Sequence, residues 1–297
     1  MTSEITLVVN PTAGRGRGAH AAQPAARALR EAGFFVRTLV GEDAPDALRR
    51  ARSAVADGTG ALIAVGGDGL VSLALQAVAG TTTPLGVIAV GTGNDFARAL
   101  ELPIGDPARA GRRAARALHA GTARAIDLGR VGRTWFGTVL ATGFDSRVND
   151  RGNRMRWPRG RFSYDVAMLA ELAALRPISY RMSLDGGPPQ DLEATLIAIG
   201  NGPSYGGGMR ICAGAELDDG LFDVTVVADC TRTTLLRVFP RVYRGTHLDH
   251  PKVTVHRARS ITVEAEGITG YADGESLGPL PLTASCVTGA VRVLTHG

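Results

Sequence analysis

The sequence predicts two domains of different class: an N-terminal α/β domain on a parallel, Rossmann-like sheet, then a mainly antiparallel β-sandwich. Three observations carry this. Short apolar runs alternate with Ala-rich helical patterns in the first part of the chain, three of those runs end in glycine-rich turns, and from Thr134 onward most segments alternate like strands.

The elements follow in order. Ile5–Val9 reads as a buried strand closed by Asn10-Pro11. His20–Ala32 is rich in Ala, Leu and Arg and reads as a helix, with Gly33 placed to cap its C-terminus. Phe34–Val40 is a second strand and Ala44–Ala56 a second helix, ended by Asp57-Gly58. Ala61–Val65 and Leu70–Val78 form the third pair, Leu85–Val90 is the fourth strand, and Asp95–Leu100 starts another helix. This β-α-β-α order implies parallel strands with helices on both faces, and ligands bind such sheets at the carboxyl ends of the strands. An Ala/Arg-rich helix, Pro107–Ala120, closes the first domain. The expected domains are residues 1–125 and 126–297, with the last strand free to return toward the first domain.

In the second domain the strand-like segments are Trp135–Ala141, Tyr180–Leu184, Leu192–Ile199, Leu221–Val227, Ser260–Glu266 and Ala290–Leu294, interrupted by helical stretches Phe162–Leu175 and Thr231–Tyr243. No internal repeat is visible.

Composition sets outer bounds. The chain has 297 residues, 44% of them apolar, so two cores are possible and general disorder is excluded. The formal charge of +5 comes almost wholly from arginine, Lys252 being the sole lysine. Such a charge permits a nucleotide, a lipid head group or a nucleic acid without demanding one. Cys212, Cys230 and Cys286 are far apart, which predicts neither a zinc site nor a disulfide framework. The first residues lack a signal-peptide pattern, and no apolar run approaches ~18 residues, so a cytoplasmic chain without a membrane-spanning helix is expected.

Three glycine-rich loops carry the chemistry. They are Asn10–Gly18, Gly66-Gly67-Asp68-Gly69 and Gly91-Thr92-Gly93-Asn94-Asp95, each between a strand and a helix. Glycine lets the backbone approach a phosphate, and a helix N-terminus supplies free N–H donors and partial positive charge. One such loop is equally well a tight turn; three at one sheet edge point to a nucleotide. Gly14, Gly16 and Gly18 have the wrong spacing for a dinucleotide fingerprint, and no Gly-Lys-Ser/Thr loop is present. Asp68 would be repelled by phosphates unless Mg²⁺ lay between, or unless it took a proton from an attacking hydroxyl.

At this point the residues resemble a known family. Asn10-Pro11-x-x-Gly14, Val65–Gly69 and Gly91–Ala97 are similar to the diacylglycerol kinase catalytic-domain family, which includes bacterial diacylglycerol kinases and sphingosine and ceramide kinases. Gly200–Met209, Leu217–Val224 and Asp273-Gly274-Glu275 resemble its bacterial branch. The resemblance runs along nearly the whole chain. It implies an ATP- and Mg²⁺-dependent lipid kinase acting on diacylglycerol or a similar lipid, with ATP in the cleft between the two domains. Asn10, Gly14, Thr38, Gly66, Gly67, Asp68, Gly69, Leu70, Ser72 and Thr92 would border the nucleotide. Glu216, Asp219 and Leu221 would hold a structural Mg²⁺ through one carboxylate and two carbonyls; the plain reading of that stretch is an Asp-Asp-Gly turn. The general base would be Asp273, Glu275 or Asp68, the first two ranked ahead and Asp68 given the phosphate–Mg²⁺ role. The chain departs from the pattern at Leu70, Ser72 and Leu73, where the family usually has Thr, Asn and Glu.

Arg151–Arg161, with Met155 and Trp157 between its arginines, predicts peripheral contact with the inner membrane face. No nucleic acid partner is expected, and a homodimer is compatible with the sequence. Two rivals stand beside the lipid kinase: an NAD kinase-like enzyme, which shares the Gly-Gly-Asp-Gly loop, and a non-catalytic nucleotide- or lipid-binding relative.

Overall fold

The computed structural model describes residues 4–144, 146–148 and 176–295. The chain divides into two compact units. The first comprises Met1–Leu128, Leu217–Asp219 and Val287–Gly297; the second comprises Gly129–Glu216 and Gly220–Cys286.

The first unit contains β1 (Glu4–Val9), α1 (Ala13–Glu31), β2 (Phe35–Val40), α2 (Ala44–Ala56), β3 (Ala61–Gly66), α3 (Asp68–Val78), β4 (Leu85–Ala89), α4 (Asp95–Ala99) and α5 (Pro107–Ala120). Its strands are parallel in the order β4-β3-β1-β2. Strands β3 and β4 are buried throughout, as the continuous apolar runs require of strands covered on both faces. On one face α1 and α5 pack over Ile5, Leu7, Ile63 and Val65. Gly111 of α5 permits this closeness, because a Cβ there would lie 2.9 Å from the Ala25 carbonyl oxygen of α1.

Local signals set the helix starts. Asp43 caps α2 by accepting from Asp46 N at 2.8 Å, and Asp106 caps α5 by accepting from Arg109 N at 2.9 Å, each followed by a proline in the first turn. Helix α1 starts at Ala13, seven residues before the expected His20, so the first glycine loop is short and its glycines lie in the first turns of the helix. Gly14 and Gly16 keep φ at +59° and +90° there, which other residues rarely adopt.

A long strand, β5 (Arg124–Val131), leads out of the first unit. The second unit holds β6 (Thr134–Phe136), β7 (Val139–Gly143), β8 (Ile178–Leu184), β9 (Gln190–Gly200), β10 (Phe222–Ala228), α6 (Arg232–Val242), a 3₁₀ turn at Thr246–Asp249, β11 (Val253–Ala258), β12 (Ser260–Glu264), β13 (Thr269–Ala272) and β14 (Glu275–Pro279). The last strand, β15 (Leu282–Val293), begins here against β12 and ends in the first unit, where Val293 pairs with Leu85 of β4. Pairings within the second unit are antiparallel. Strand β9 pairs with β8 through its first half and with β7 through its second, and β10 lies along its other edge. Tyr180, Phe136, Ile197 and Phe222 fill one core, with Phe136 and Phe222 stacked at 5.8 Å. Phe144, Met209, Cys212 and Leu235 fill another.

Three expectations need correction. Trp135–Ala141 is two strands, broken at Gly137-Thr138 because those peptide groups bond to side chains. Strand β15 is much longer than Ala290–Leu294, and β5, β11, β13 and β14 were not expected. The helical stretch Phe162–Leu175 and the basic stretch Arg151–Arg161 lie outside the described residues.

Candidate functional site

In the first unit, β1, β3 and β4 are parallel neighbours, so the loops that follow them emerge at one sheet edge. In the order β4-β3-β1-β2 the strand order switches sides between β1 and β3, the point at whose carboxyl ends such sheets bind ligands. The loops touch through backbone. A Cβ on Gly91 would lie 2.5 Å from the Gly67 Cα, and a Cβ on Gly14 would lie 2.2 Å from the Val90 carbonyl oxygen. Arg17 joins the first loop to the third, with Nε donating to Gly14 O at 2.9 Å and Nη2 to Gly91 O at 3.3 Å.

Asp68 has a task its motif does not advertise. Its Oδ2 accepts from Asn94 N at 2.6 Å and its Oδ1 from Asp95 N at 2.8 Å. The carboxylate thereby caps α4 from another loop. Gly93 is required by the same contact, because a Cβ there would lie 2.4 Å from Asp68 Oδ2. Burial, reinforced by the negative charge of Asp95, pushes the Asp68 carboxyl above the ordinary carboxylate range, while the amides of Asn94, Asp95 and Phe96 pull it down. Asn94 folds the same loop on itself. It adopts φ +60°, accepts from Gly91 N at 2.9 Å and donates to Gly91 O at 3.0 Å.

Helix α3 differs from α2 and α5 in having no side-chain cap. Leu70 N and Val71 N both donate to Gly67 O, at 3.0 and 3.1 Å. The Asp68 and Gly69 amides stand at the helix start, where the first N–H groups have no intrahelical acceptor, and Gly69 is exposed. Thr92 is exposed at the tip of the third loop, and Asn10 is half-buried, its Oδ1 accepting from Thr12 N at 3.0 Å. Thr38 is exposed on the edge strand β2, beside Leu7. Leu70 and Ser72 have buried side chains, Leu70 packing toward Gly66. A contribution to ligand binding from these two positions therefore comes from the backbone.

In the second unit, Asp273 and Gly274 form the two-residue turn between β13 and β14, at φ +49° and +86°. That is the type I′ geometry for which Asp-Gly is well suited. The Asp273 carboxylate accepts from Gly137 N at 2.7 Å, Thr138 N at 2.9 Å and Thr138 Oγ1. The carbonyls of the same two residues are held by the buried Asn201. Its Nδ2 donates to Gly137 O at 3.0 Å and its N to Thr138 O at 2.8 Å. Glu275, two residues on, is exposed.

In the Glu216–Leu221 stretch, Glu216 is exposed, while Asp219 and Leu221 are half-buried. Asp218 is drawn off by Arg124 at 2.6 Å. Among the described residues no three His, Cys, Asp or Glu side chains gather into a metal-binding cluster. A hard-oxygen set of one carboxylate and two carbonyls fits Mg²⁺, which keeps much of its water.

Sequence reasoning missed Arg17, Asn94, Thr138 and Asn201. Asn94 and Asn201 stand inside recognisable motifs, whereas Thr138 carries no local signal.

Two elements characterise the chain: a parallel sheet with three glycine-rich loops at one edge, and an antiparallel unit bearing an anchored carboxylate. Residues 4–131 match the diacylglycerol kinase catalytic domain, and residues 138–295 match the YegS C-terminal NAD kinase beta sandwich-like domain. A protein named diacylglycerol kinase from Mycobacterium tuberculosis H37Rv is 47% identical over 99% of this chain and 96% of its own length. One of the same name from Staphylococcus aureus MRSA252 is 28% identical over 95% and 89%. The chain belongs to the diacylglycerol kinase catalytic-domain family and is a phosphotransferase. The fold is shared with a crystal structure of a diacylglycerol kinase from Bacillus anthracis (TM-score 0.75, 22% identity, 99% of this chain and 97% of that one). It is shared more distantly with an NAD kinase from Archaeoglobus fulgidus solved with ATP (TM-score 0.57, 12% identity, 98% and 93%).

Proposed function

We propose that this kinase transfers the γ-phosphoryl group of ATP to a hydroxyl of a membrane lipid, diacylglycerol or a close analogue. The observation that carries the reading is the meeting of three strand-to-helix loops at the carboxyl ends of β4, β3 and β1, with no side chain capping the start of α3. Backbone amides of Gly66, Gly67, Asp68 and Gly69 suit a polyphosphate. Asn10, Gly14 and Thr92 line the same edge, and Thr38 is assigned to the nucleotide from β2. Asp68 is assigned to the framework, holding the third loop against the second.

Asp273 and Glu275 supply the base. An acceptor hydroxyl is not ionised at neutral pH, so its proton must leave as its oxygen attacks phosphorus. In this reading the Asp273 carboxylate, oriented by Gly137 and Thr138, takes that proton, with Glu275 second in rank. The new O–P bond forms as the bond to the departing ADP oxygen breaks. Asp219 with the carbonyls of Glu216 and Leu221 would hold Mg²⁺, which supplies fixed positive charge when bound. Arg151–Arg161 is assigned to peripheral contact with the cytoplasmic membrane face, and among the described residues no helix is long and apolar enough to cross a membrane.

The NAD kinase reading rests on the shared fold and the Gly-Gly-Asp-Gly loop. Labelled ATP offered with a lipid panel and with NAD separates the readings. The proposal expects labelled lipid; labelled NADP, or nucleotide binding without transfer to any lipid, would replace it.

A further inference from the structure

Few large apolar side chains are exposed among the described residues, and two of them, Leu236 at 56% and Tyr243 at 50%, lie at helix α6 and the residue that follows it. The helix buries Leu235, Val238 and Val242. At about 100° per residue, Leu236, Pro240 and Tyr243 fall within about 60° of one another on the opposite side. The half-buried Phe239 ring meets Tyr243 edge-on at 6.1 Å.

Arginines surround this stripe. Arg232, Arg237, Arg241 and Arg244 are all exposed. Arg210, also exposed, is tied to the end of the helix by its amide, which donates to Val242 O at 3.1 Å. No Asp or Glu occurs between Asp229 and Asp249. Arginines in the last turn could simply answer the helix dipole. That account fails for Arg232, which begins the helix where a cation is disfavoured, and it asks nothing of Leu236 or Tyr243. Helix α5 makes the contrast. It exposes Arg109, Arg112 and Arg116, yet none of its large apolar side chains is exposed.

We propose that α6 is an interfacial docking surface for an anionic lipid bilayer. Leu236, Pro240 and Tyr243 enter the head-group region, and the flanking arginines meet lipid phosphates. A nucleic acid would use the arginines but leave the apolar stripe in water. The inference rests on the lipid-kinase reading only for why a bilayer should be the partner, and binding is scored without turnover.

The test is flotation of the full chain with vesicles of phosphatidylcholine alone and of phosphatidylcholine mixed equally with phosphatidylglycerol. Wild type is expected to float with the anionic vesicles alone. Arg237→Gln/Arg241→Gln/Arg244→Gln should lose on the order of 100-fold in partitioning, and Leu236→Ser/Tyr243→Ser roughly 10-fold. The lysine triple variant should restore most of the loss. Arg109→Gln/Arg112→Gln/Arg116→Gln removes the same charge from α5 and should float like wild type. Wild type that ignores anionic vesicles, α6 variants that bind like wild type, or an equal loss in the α5 variant each overturns the inference. So does wild type that binds duplex DNA more tightly than vesicles through the same arginines. Transfer to detergent-dispersed diacylglycerol should be unchanged in the α6 variants. Vesicle binding through α6 by a chain that phosphorylates no lipid would break the lipid-kinase reading and leave this one standing.

Discussion

Asp68 and Asp273 make the same bond pattern in the two units. Each begins an Asp-Gly pair, and each carboxylate accepts from two successive amides far away in sequence: Asn94 and Asp95 for one, Gly137 and Thr138 for the other. Their settings differ. Asp68 opens a helix and holds together two loops whose glycines touch backbone to backbone. Asp273 sits at a hairpin tip beside the exposed Glu275 and also takes the Thr138 hydroxyl. One clamp fixes a glycine loop against its neighbour; the other fixes the orientation of a carboxylate. An aspartate beside glycine is therefore no sign of catalysis in itself. What the carboxylate bonds, and what stands around it, decides.

The largest expected effect is at Asp273. Asp273→Asn should cut transfer by roughly 10²–10⁴-fold, the range for loss of a positioned base, as read in single-turnover assays with saturating ATP. Glu275→Gln should do less if Asp273 is the base. The reverse order would exchange their roles.

Glycine substitutions probe the other clamp. Gly91→Ala and Gly93→Ala place a Cβ at 2.5 Å from the Gly67 Cα and 2.4 Å from Asp68 Oδ2. Both should raise the KM for ATP far more than they lower kcat. Gly105→Ala, whose Cβ would meet nothing within 4 Å although φ is +76°, controls for backbone strain.

Asp68→Asn turns one acceptor into a donor facing an amide N–H. It should cost about 1–3 kcal/mol of stability, measured by urea denaturation, with transfer at saturating ATP largely retained.

A smaller effect belongs to His247. It is wholly buried, its Nε2 bonds Ile211 O at 3.0 Å, and its Nδ1 has no partner among the described residues. Burial holds its pKa below the ordinary 6.5, against the pull of that backbone bond. The unfolded chain thus binds the proton more readily. Stability should be full above pH 6.5 and decline below it. His247→Gln should flatten that decline in thermal midpoints.

The smallest expected signal is at Cys212, whose thiol burial pushes up to about 12. It should resist alkylation in the native state.

Much of the first unit was legible because its signals are local. Apolar runs and glycine stops place β1 to α5 within a few residues, apart from the start of α1, which lies seven residues before the expected His20. The glycine loops were legible as a phosphate edge, but the reason for each glycine was not. Gly91 and Gly93 answer to Gly67 and Asp68, more than twenty residues away, and only the fold brings them together. The second unit was harder. The break at Gly137-Thr138 depends on Asp273 and Asn201, which no window around those residues contains. Leu70 looked like a departure at the nucleotide; its side chain is buried, so the change falls in packing.

The most direct test of the division of labour is a kcat and KM split for Asp68→Asn and Asp273→Asn, assayed side by side with labelled ATP and dispersed diacylglycerol. The account predicts that Asp68→Asn raises the KM for ATP and keeps kcat, whereas Asp273→Asn loses kcat and still binds ATP. An Asp273→Asn enzyme that turns over at the wild-type rate, or an Asp68→Asn enzyme that binds ATP normally yet transfers nothing, would contradict it.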